Sequence, residues 1–353
     1  MTSSFKLGMA LAIATIASVP LPRANAGIIF NTFTSPNSFI ANSPIGFAYA
    51  GNKFVGSLYL NSGPTTFLYS TDLNGGNVQQ FAPTVAIPTG NPEEHFVASS
   101  LGLGGFPNRD IYVSAIGQVI HITNDGSSGG TFVSGLIGEV RGIVFDSIGT
   151  FGHEMLVSTS SGTIYKVDSG GNAVILANIG QDTEGMDIAP AGFGSFAGQL
   201  FVGSEGSGLV RAIDPLGNVT ILNPGNPIAG AEQLAFVPLN LGASGSSLEG
   251  LYSADYPVDV VKADASQFTG FLGDLIVSGE FDHQVTRVHF NGSSFEYSNV
   301  GQLPHQPEDG IFVTAAIINP GNGAVPEPAS LVLLSIGGLG LLGFARRGWK
   351  KAN

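Results

Sequence analysis

A phenylalanine, a small residue or turn, and an apolar strand return about every 45 residues through the middle of this chain. Phe54-Val55-Gly56-Ser57-Leu58-Tyr59 aligns with Phe196-Ala197-Gly198-Gln199-Leu200-Phe201 and with Phe271-Leu272-Gly273-Asp274-Leu275-Ile276. Phe151-Gly152-His153-Glu154-Met155-Leu156 is a fourth copy, and residues 106–111 are a fifth with one insertion. Glu249-Gly250-Leu251-Tyr252 opens a sixth that lacks the phenylalanine. A fixed period of this length means one supersecondary unit copied in series.

Each copy leads through a Gly- or Ser-rich turn into a second strand, at 66–72, 117–123, 162–168, 208–214, 258–264 and 284–290. A further turn and strand often follow, as at 173–177 and 218–222. Asp214-Pro215-Leu216-Gly217 is turn chemistry, with Pro fixing φ and Gly supplying a positive one. Another strand precedes most copies, at 45–50, 95–99, 140–146, 185–189 and 233–237, with a last one at 310–315. Four short strands per period predict an all-β protein, a β-propeller of six four-stranded blades. The strand near 310 fits ring closure. The stretch 238–273 lacks a clear last strand, so five or seven blades stay open.

The composition suits a packed, turn-rich fold: 51 Gly, 43% hydrophobic residues and 11% charged. There is no cysteine, which excludes disulfides, thiolate metal sites and a cysteine nucleophile. Residues 27–325 carry 7 Lys and Arg against 25 Asp and Glu, a net charge of −18. Such a surface repels nucleic acid and anionic lipid and suits solubility outside the cell.

The two ends read as addresses. Lys6 precedes an apolar run over residues 7–19, then Pro20 and Pro22, then Ala24-Asn25-Ala26. That is a secretory signal for the Sec route, cleaved by signal peptidase after Ala26, with Ala24 and Ala26 at the positions the peptidase reads. At the other end stand Val325, Pro326, Glu327 and Pro328, then 17 uncharged residues, 329–345, then Arg346 and Arg347. At 1.5 Å per residue the run spans roughly 25 Å, enough for one transmembrane helix across a thin bilayer. The basic cluster stays on the cytoplasmic side. The domains expected are a signal peptide over 1–26, a propeller over 27–318, and a tail over 319–353.

Val-Pro-Glu-Pro, one apolar span and a terminal Arg-Arg together resemble the PEP-CTERM sorting tail of Gram-negative bacteria. The resemblance implies recognition by an exosortase, transient anchoring in the inner membrane, and removal of the tail near Pro326-Glu327-Pro328. It implies delivery to the cell surface or extracellular matrix, among exopolysaccharide or matrix proteins. Independently of any family, the two prolines deny the backbone a helix and leave an extended peptide that a processing enzyme can grip.

The repeat grammar is similar to that of six-bladed propellers of the NHL and gluconolactonase-like type, with Glu184-Gly185-Met186 and Glu308-Asp309-Gly310 at the openings of inner strands. Acids at those openings crowd the central channel. Glu94, Glu184, Glu232, Glu308 and Asp309 are the candidate channel carboxylates, with Glu139, His95 and Arg141 in the same register. Converging carboxylates can hold Ca²⁺ or shift one another's pKa for acid–base work. They can equally accept backbone N–H groups from neighbouring blades. No G-x-S-x-G elbow, H-E-x-x-H pair or EF-hand loop occurs. The sequence thus favours an exported binding or scaffold propeller over an enzyme. The alternative is an exported metal-dependent hydrolase or lyase acting on lactones or sugars in the channel.

Overall fold

The computed structural model describes residues 27–36, 43–59, 68–88 and 95–318. β1 (Asn31–Thr34) comes first. β2 (Pro44–Tyr49), β3 (Phe54–Leu58), β4 (Leu68–Thr71) and β5 (Gln79–Gln80) then form one antiparallel sheet in sequence order. β6 (Val97–Leu101), β7 (Asn108–Ile122), β8 (Gly129–Phe145), β9 (Met155–Thr159), β10 (Thr163–Val167) and β11 (Ala173–Asn178) form a six-stranded sheet. β12 (Met186–Ile188), β13 (Leu200–Ser204), β14 (Leu209–Ile213) and β15 (Val219–Ile221) form the next.

β16 (Ala231–Phe236) then skips β17 (Gly250–Tyr256) and β18 (Asp259–Asp264) and pairs with β19 (Leu275–Gly279), which continues to β20 (Gln284–Phe290) and β21 (Phe295–Gln302). The skipped hairpin joins β22 (Gln306–Val313) on one side and β1 on the other. The stretch 238–273 therefore lacks a last strand because the N-terminus supplies it. The sheet order β1-β18-β17-β22 stitches the two ends of the domain together and closes a β-propeller.

The expected six separate blades become five hydrogen-bonded sheets. The correction lies in residues 108–145, read in the sequence as separate strands at 117–123 and 140–146, where Gly117, Gly135 and Gly138 stand inside two long strands. Their φ values of 60°, 79° and 90° bend β7 and β8 without ending them. The first part of β8 pairs with β7, and residues 140–145 of the same strand pair with β9. The fused sheet thus contributes both β6 and the end of β8 to the channel wall. The wall is completed by β2, β12, β16 and β22.

The repeated phenylalanines pack between neighbouring sheets or, for Phe106, between strands of the one fused sheet. Phe54, Phe106, Phe151 and Phe271 are buried. Phe106 meets Tyr112, Phe132 and Phe145 at ring distances of 5.9, 5.9 and 5.1 Å. Phe193 and Phe196 gather Phe201, Phe290 and Phe295 in the same way. A buried phenylalanine contributes about 1.5–3 kcal/mol from its area alone, so the phenylalanine of the repeat is the residue that stacks one sheet on the next.

A short helix, α1 (Ala315–Ile318), ends the described chain; Arg109 donates to the Ile317 carbonyl, and Ala315 N–H donates to Glu249 Oε1 at 2.8 Å. Among the described residues no helix is long and apolar enough to cross a membrane. The expected signal peptide, with Ala24 and Ala26, and the expected span 329–345 lie outside the described residues, as do Val325, Pro326, Glu327, Pro328, Arg346 and Arg347.

Candidate functional site: the channel mouth

The inner strands start at one mouth of the channel, and their first residues decide how closely they approach. A Cβ on Gly185 would lie 1.9 Å from the Glu232 carbonyl oxygen; one on Gly142 would lie 2.4 Å from that of Glu184. The missing side chains let each inner strand seat against the backbone of the next. Gln233 occupies the corresponding place on β16. Its Oε1 accepts from Ser253 and Ser278, each at 3.2 Å, and its amide packs over Gly310. Between the inner strands runs a cavity of about 250 Å³, walled by Phe47, Val97, Val144, Asp187, Leu234 and Phe312 among others.

The acids of the mouth divide into two kinds. Asp187 and Asp309 work as clasps. Asp187 accepts Phe236 N–H at 2.7 Å and Ile188 N–H at 2.7 Å. Asp309 accepts Phe47 N–H at 3.2 Å and Gly310 N–H at 2.8 Å. Each carboxylate thus ties its own strand to the next sheet's inner strand. Burial pushes Asp187 up to about 6 and Asp309 up to about 7, against the lowering pull of those N–H donors.

Glu184 and Glu232 are the second kind. They are 6% and 3% exposed and face one another. Burial raises both, and for Glu232 the charge of Glu184 adds to it. The Arg141 guanidinium is 3.4 Å from Glu184 and 3.1 Å from Asp182, and it favours the charged form of Glu184. Glu205 comes from the 3₁₀ turn Glu205–Ser207 just after β13. One oxygen from each of Glu184, Glu205 and Glu232 lies within 4.8 Å of the others. Beside them Arg211 donates to Ser204 Oγ at 2.7 Å and Gln181 Oε1 at 2.6 Å. Gln306 Nε2 joins Glu280 and Glu308 at 2.5 and 2.9 Å.

The five carboxylates picked from the sequence therefore part company. Glu184 and Glu232 meet, Glu308 is engaged through Gln306, and Asp309 turns to backbone. Glu94 lies outside the described residues. Glu205 was missed, although a signal existed: Glu205 and Glu280 each follow the second strand of their sheet directly. His95 is fully buried, its Nδ1 3.2 Å from the Ser114 carbonyl, and burial lowers it to about 4.

These shifts set opposite pH dependences. Neutral burial of His95 stabilises the fold above pH ~6.5, and that contribution is lost as the pH falls toward 4. Asp309 is raised, so the folded state holds its proton more tightly and its contribution is lost as the pH climbs toward 7. Asp309→Asn, which cannot ionise, is expected to gain about 2 kcal/mol on wild type between pH 5 and 8. Denaturant melts at both pH values measure this; a constant gap between the two proteins would refute it.

A second carboxylate group sits at the ring closure. His305 N–H and Nδ1 meet the two oxygens of buried Asp255 at 2.9 and 2.7 Å, and Thr32 Oγ1 on β1 donates to Asp259 Oδ2 at 2.5 Å. These bonds fasten β1, the β17–β18 turn and the start of β22.

Residues 324–351 match the family model described as the PEP-CTERM protein-sorting motif. None of the curated proteins matches the chain. Among solved structures, the chain is similar to one titled as a nidogen/laminin complex, at 14% identity and TM-score 0.48, over 76% of this chain and 84% of that one. It is similar to a streptogramin B lyase at 11% identity and TM-score 0.46, over 82% and 92%. A catalytically inactive virginiamycin B lyase from Staphylococcus aureus with quinupristin gives 11% and 0.49, over 80% and 78%. At these scores the likenesses carry no argument about activity.

Proposed function

We propose, for a β-propeller that carries the PEP-CTERM sorting motif at its C-terminus, the role of an exported binding protein held at the cell surface or in the extracellular matrix. The motif is the exosortase substrate signal, and it is the observation that carries the reading. On this reading signal peptidase and an exosortase remove the two ends, the chain passes through the inner membrane of a Gram-negative cell, and the ring is what stays outside.

The ligand end is the channel mouth. There the inner strands are seated too closely to shift independently, so charged groups are presented on a preorganised frame. Arg141, Arg211, Glu205 and Glu280 offer both signs of charge around one opening, which suits polyhydroxylated or charged matrix material, exopolysaccharide or protein. A metal-dependent hydrolase or lyase on lactones or sugars is the second reading, and the meeting of Glu184 with Glu232 is the observation that favours it.

Co-sedimentation with matrix material from the producing cells tests the binding role. Wild type is expected to pellet with the matrix. Glu205→Gln, on the half-buried turn at the mouth, is expected to reduce retention at least fivefold while Tm changes little. Equal retention of the two, or no retention of wild type, rejects the mouth as the ligand end. Turnover of a lactone or glycan by wild type would favour the second reading.

A further inference from the structure

We propose that the end of the channel opposite the acidic mouth rests on a neutral lipid bilayer while the chain's own apolar run, residues 329–345, anchors it there. The inference rests on the reading of the tail as one that passes through a membrane, and it says which way the ring faces.

The inner strands begin at the mouth, so their last residues mark the far end. Leu101, Ser147, Pro238 and Ile317 line the cavity there. The loops that follow carry apolar side chains outward: Leu103 is 40% exposed, Ile148 43%, Leu239 53% and Leu272 39%. Single exposed leucines are ordinary on any protein, but these loops adjoin. A Cβ on Gly104 would lie 2.3 Å from the His153 carbonyl oxygen, one on Gly198 2.6 Å from Thr150 Oγ1, and one on Gly273 3.1 Å from a Leu239 methyl. Phe193 meets Phe236 at 4.9 Å. The loops after β6, β8, β12 and β16 thus form a collar around the channel.

Charge sets this end apart. Residues 102–106, 147–153, 189–199, 238–248 and 269–273 contain no Lys, Arg, Asp or Glu, and neither does α1. Asp146, which opens the second of these loops, is buried, and its oxygens accept the N–H groups of Ile148, Gly149, Phe151 and His153. The loop after β2 adds Lys53, a cation that headgroup phosphates accept. The acids collect instead at the mouth. A second copy would bring the same acidic charge and be repelled, whereas neutral lipid meets an uncharged apolar collar without that cost.

The path of the chain selects the same occupant. Glu249 and Arg109 hold α1 at this end, through Ala315 N–H and the Ile317 carbonyl. Ten residues, 319–328, then separate α1 from the apolar run. A fully extended chain covers at most ~3.6 Å per residue, so the run begins within roughly 36 Å of the collar. The mouth lies about 20 Å further off, the length of an inner strand. Contact between collar and bilayer is therefore intramolecular, and a few leucines and isoleucines suffice to orient the ring.

The chain has no cysteine, so single-cysteine variants carry one fluorophore each. Leu239→Cys and Ile148→Cys place it on the collar; Gly206→Cys places it on the exposed turn at the mouth. The chain from Gly27 to Asn353, the form left once the signal peptide is removed, is reconstituted into phosphatidylcholine vesicles doped with nitroxide-labelled phosphatidylcholine. Flotation with the vesicles reads the tail, and quenching by the lipid reads the face. Quenching of the two collar probes is expected to exceed that of the Gly206→Cys probe by at least about threefold. Adding Leu103→Ser and Leu239→Ser to the Ile148→Cys protein is expected to bring its quenching down to the level at the mouth, with flotation and Tm unchanged. Flotation with equal quenching at all three positions overturns the proposal and leaves the anchored, exported reading standing. Failure to float overturns both. Energy transfer between labelled copies at the Leu239→Cys probe, in place of lipid quenching, assigns the collar to a second copy and also overturns the proposal.

Discussion

Gly185→Ala is expected to cost the protein at least about 4 kcal/mol, or to prevent folding altogether. The added methyl would sit 1.9 Å from the Glu232 carbonyl oxygen and 2.7 Å from Leu234 N. Both are backbone atoms of the neighbouring inner strand, so neither can rotate away. Relief requires β12 and β16 to separate, and that strains the clasp from Asp187 to Phe236 N–H and the seating of every later sheet. Gly192→Ala is the matched control. No atom lies within 4 Å of its Cβ position and its φ is ordinary, so the loss of backbone freedom in the unfolded chain leaves it neutral or up to about 1 kcal/mol more stable. Thermal melts of the two variants decide the matter. Similar Tm values would mean that the inner strands are not packed as described.

Phe54→Ala carries the second large effect. Phe54 is fully buried, with ring centroids 5.1 Å from Phe33, 5.0 Å from Phe47, 5.4 Å from Tyr49 and 4.8 Å from Tyr252. Phe33 belongs to β1 and Tyr252 to β17, so this cluster fixes the closing sheet to the first complete one. Truncation leaves a cavity at the seam where the two chain ends meet. The expected loss is about 3–5 kcal/mol, or roughly 10 °C in Tm for a domain of this size. Phe281, 62% exposed, is expected to tolerate alanine within about 0.5 kcal/mol. A loss below about 1 kcal/mol at Phe54 would contradict the account of the seam.

Both residues were marked in the sequence, for different reasons. The repeat made Phe54 visible, because the same side chain must recur wherever one sheet stacks on another. Gly185 stood out only as part of an acid-glycine opening. The strand positions were also legible, since turns in this chain are written with Gly, Asn and Asp. That same signal misled at the turn read just ahead of the strand 117–123, where Gly117 lies inside a strand running over 108–122. Glycine permits a positive φ in a tight turn and in a bend alike, and sequence does not say which, so two expected blades appear as one continuous sheet.

The pairing of the β17–β18 hairpin was not legible for another reason. Its second strand was read at 258–264, but the partners of the hairpin, β1 and β22, lie more than 200 and about 50 residues away. A local pattern carries no record of such pairing. Half of the site suffered likewise. Glu184 and Glu232 announce themselves by register at the start of inner strands. Glu205 comes from the other end of a hairpin and joins them only when the ring is built, whereas Asp309 has the right register but its oxygens are taken by Phe47 and Gly310.

The intact mass of the protein recovered from the surface of producing cells tests most directly whether a closed ring is what these two ends deliver. A chain beginning at Gly27 and lacking 329–345 is what the account requires. A surface protein that still runs to Asn353, or one that never leaves the cell with its first 26 residues removed, would contradict it.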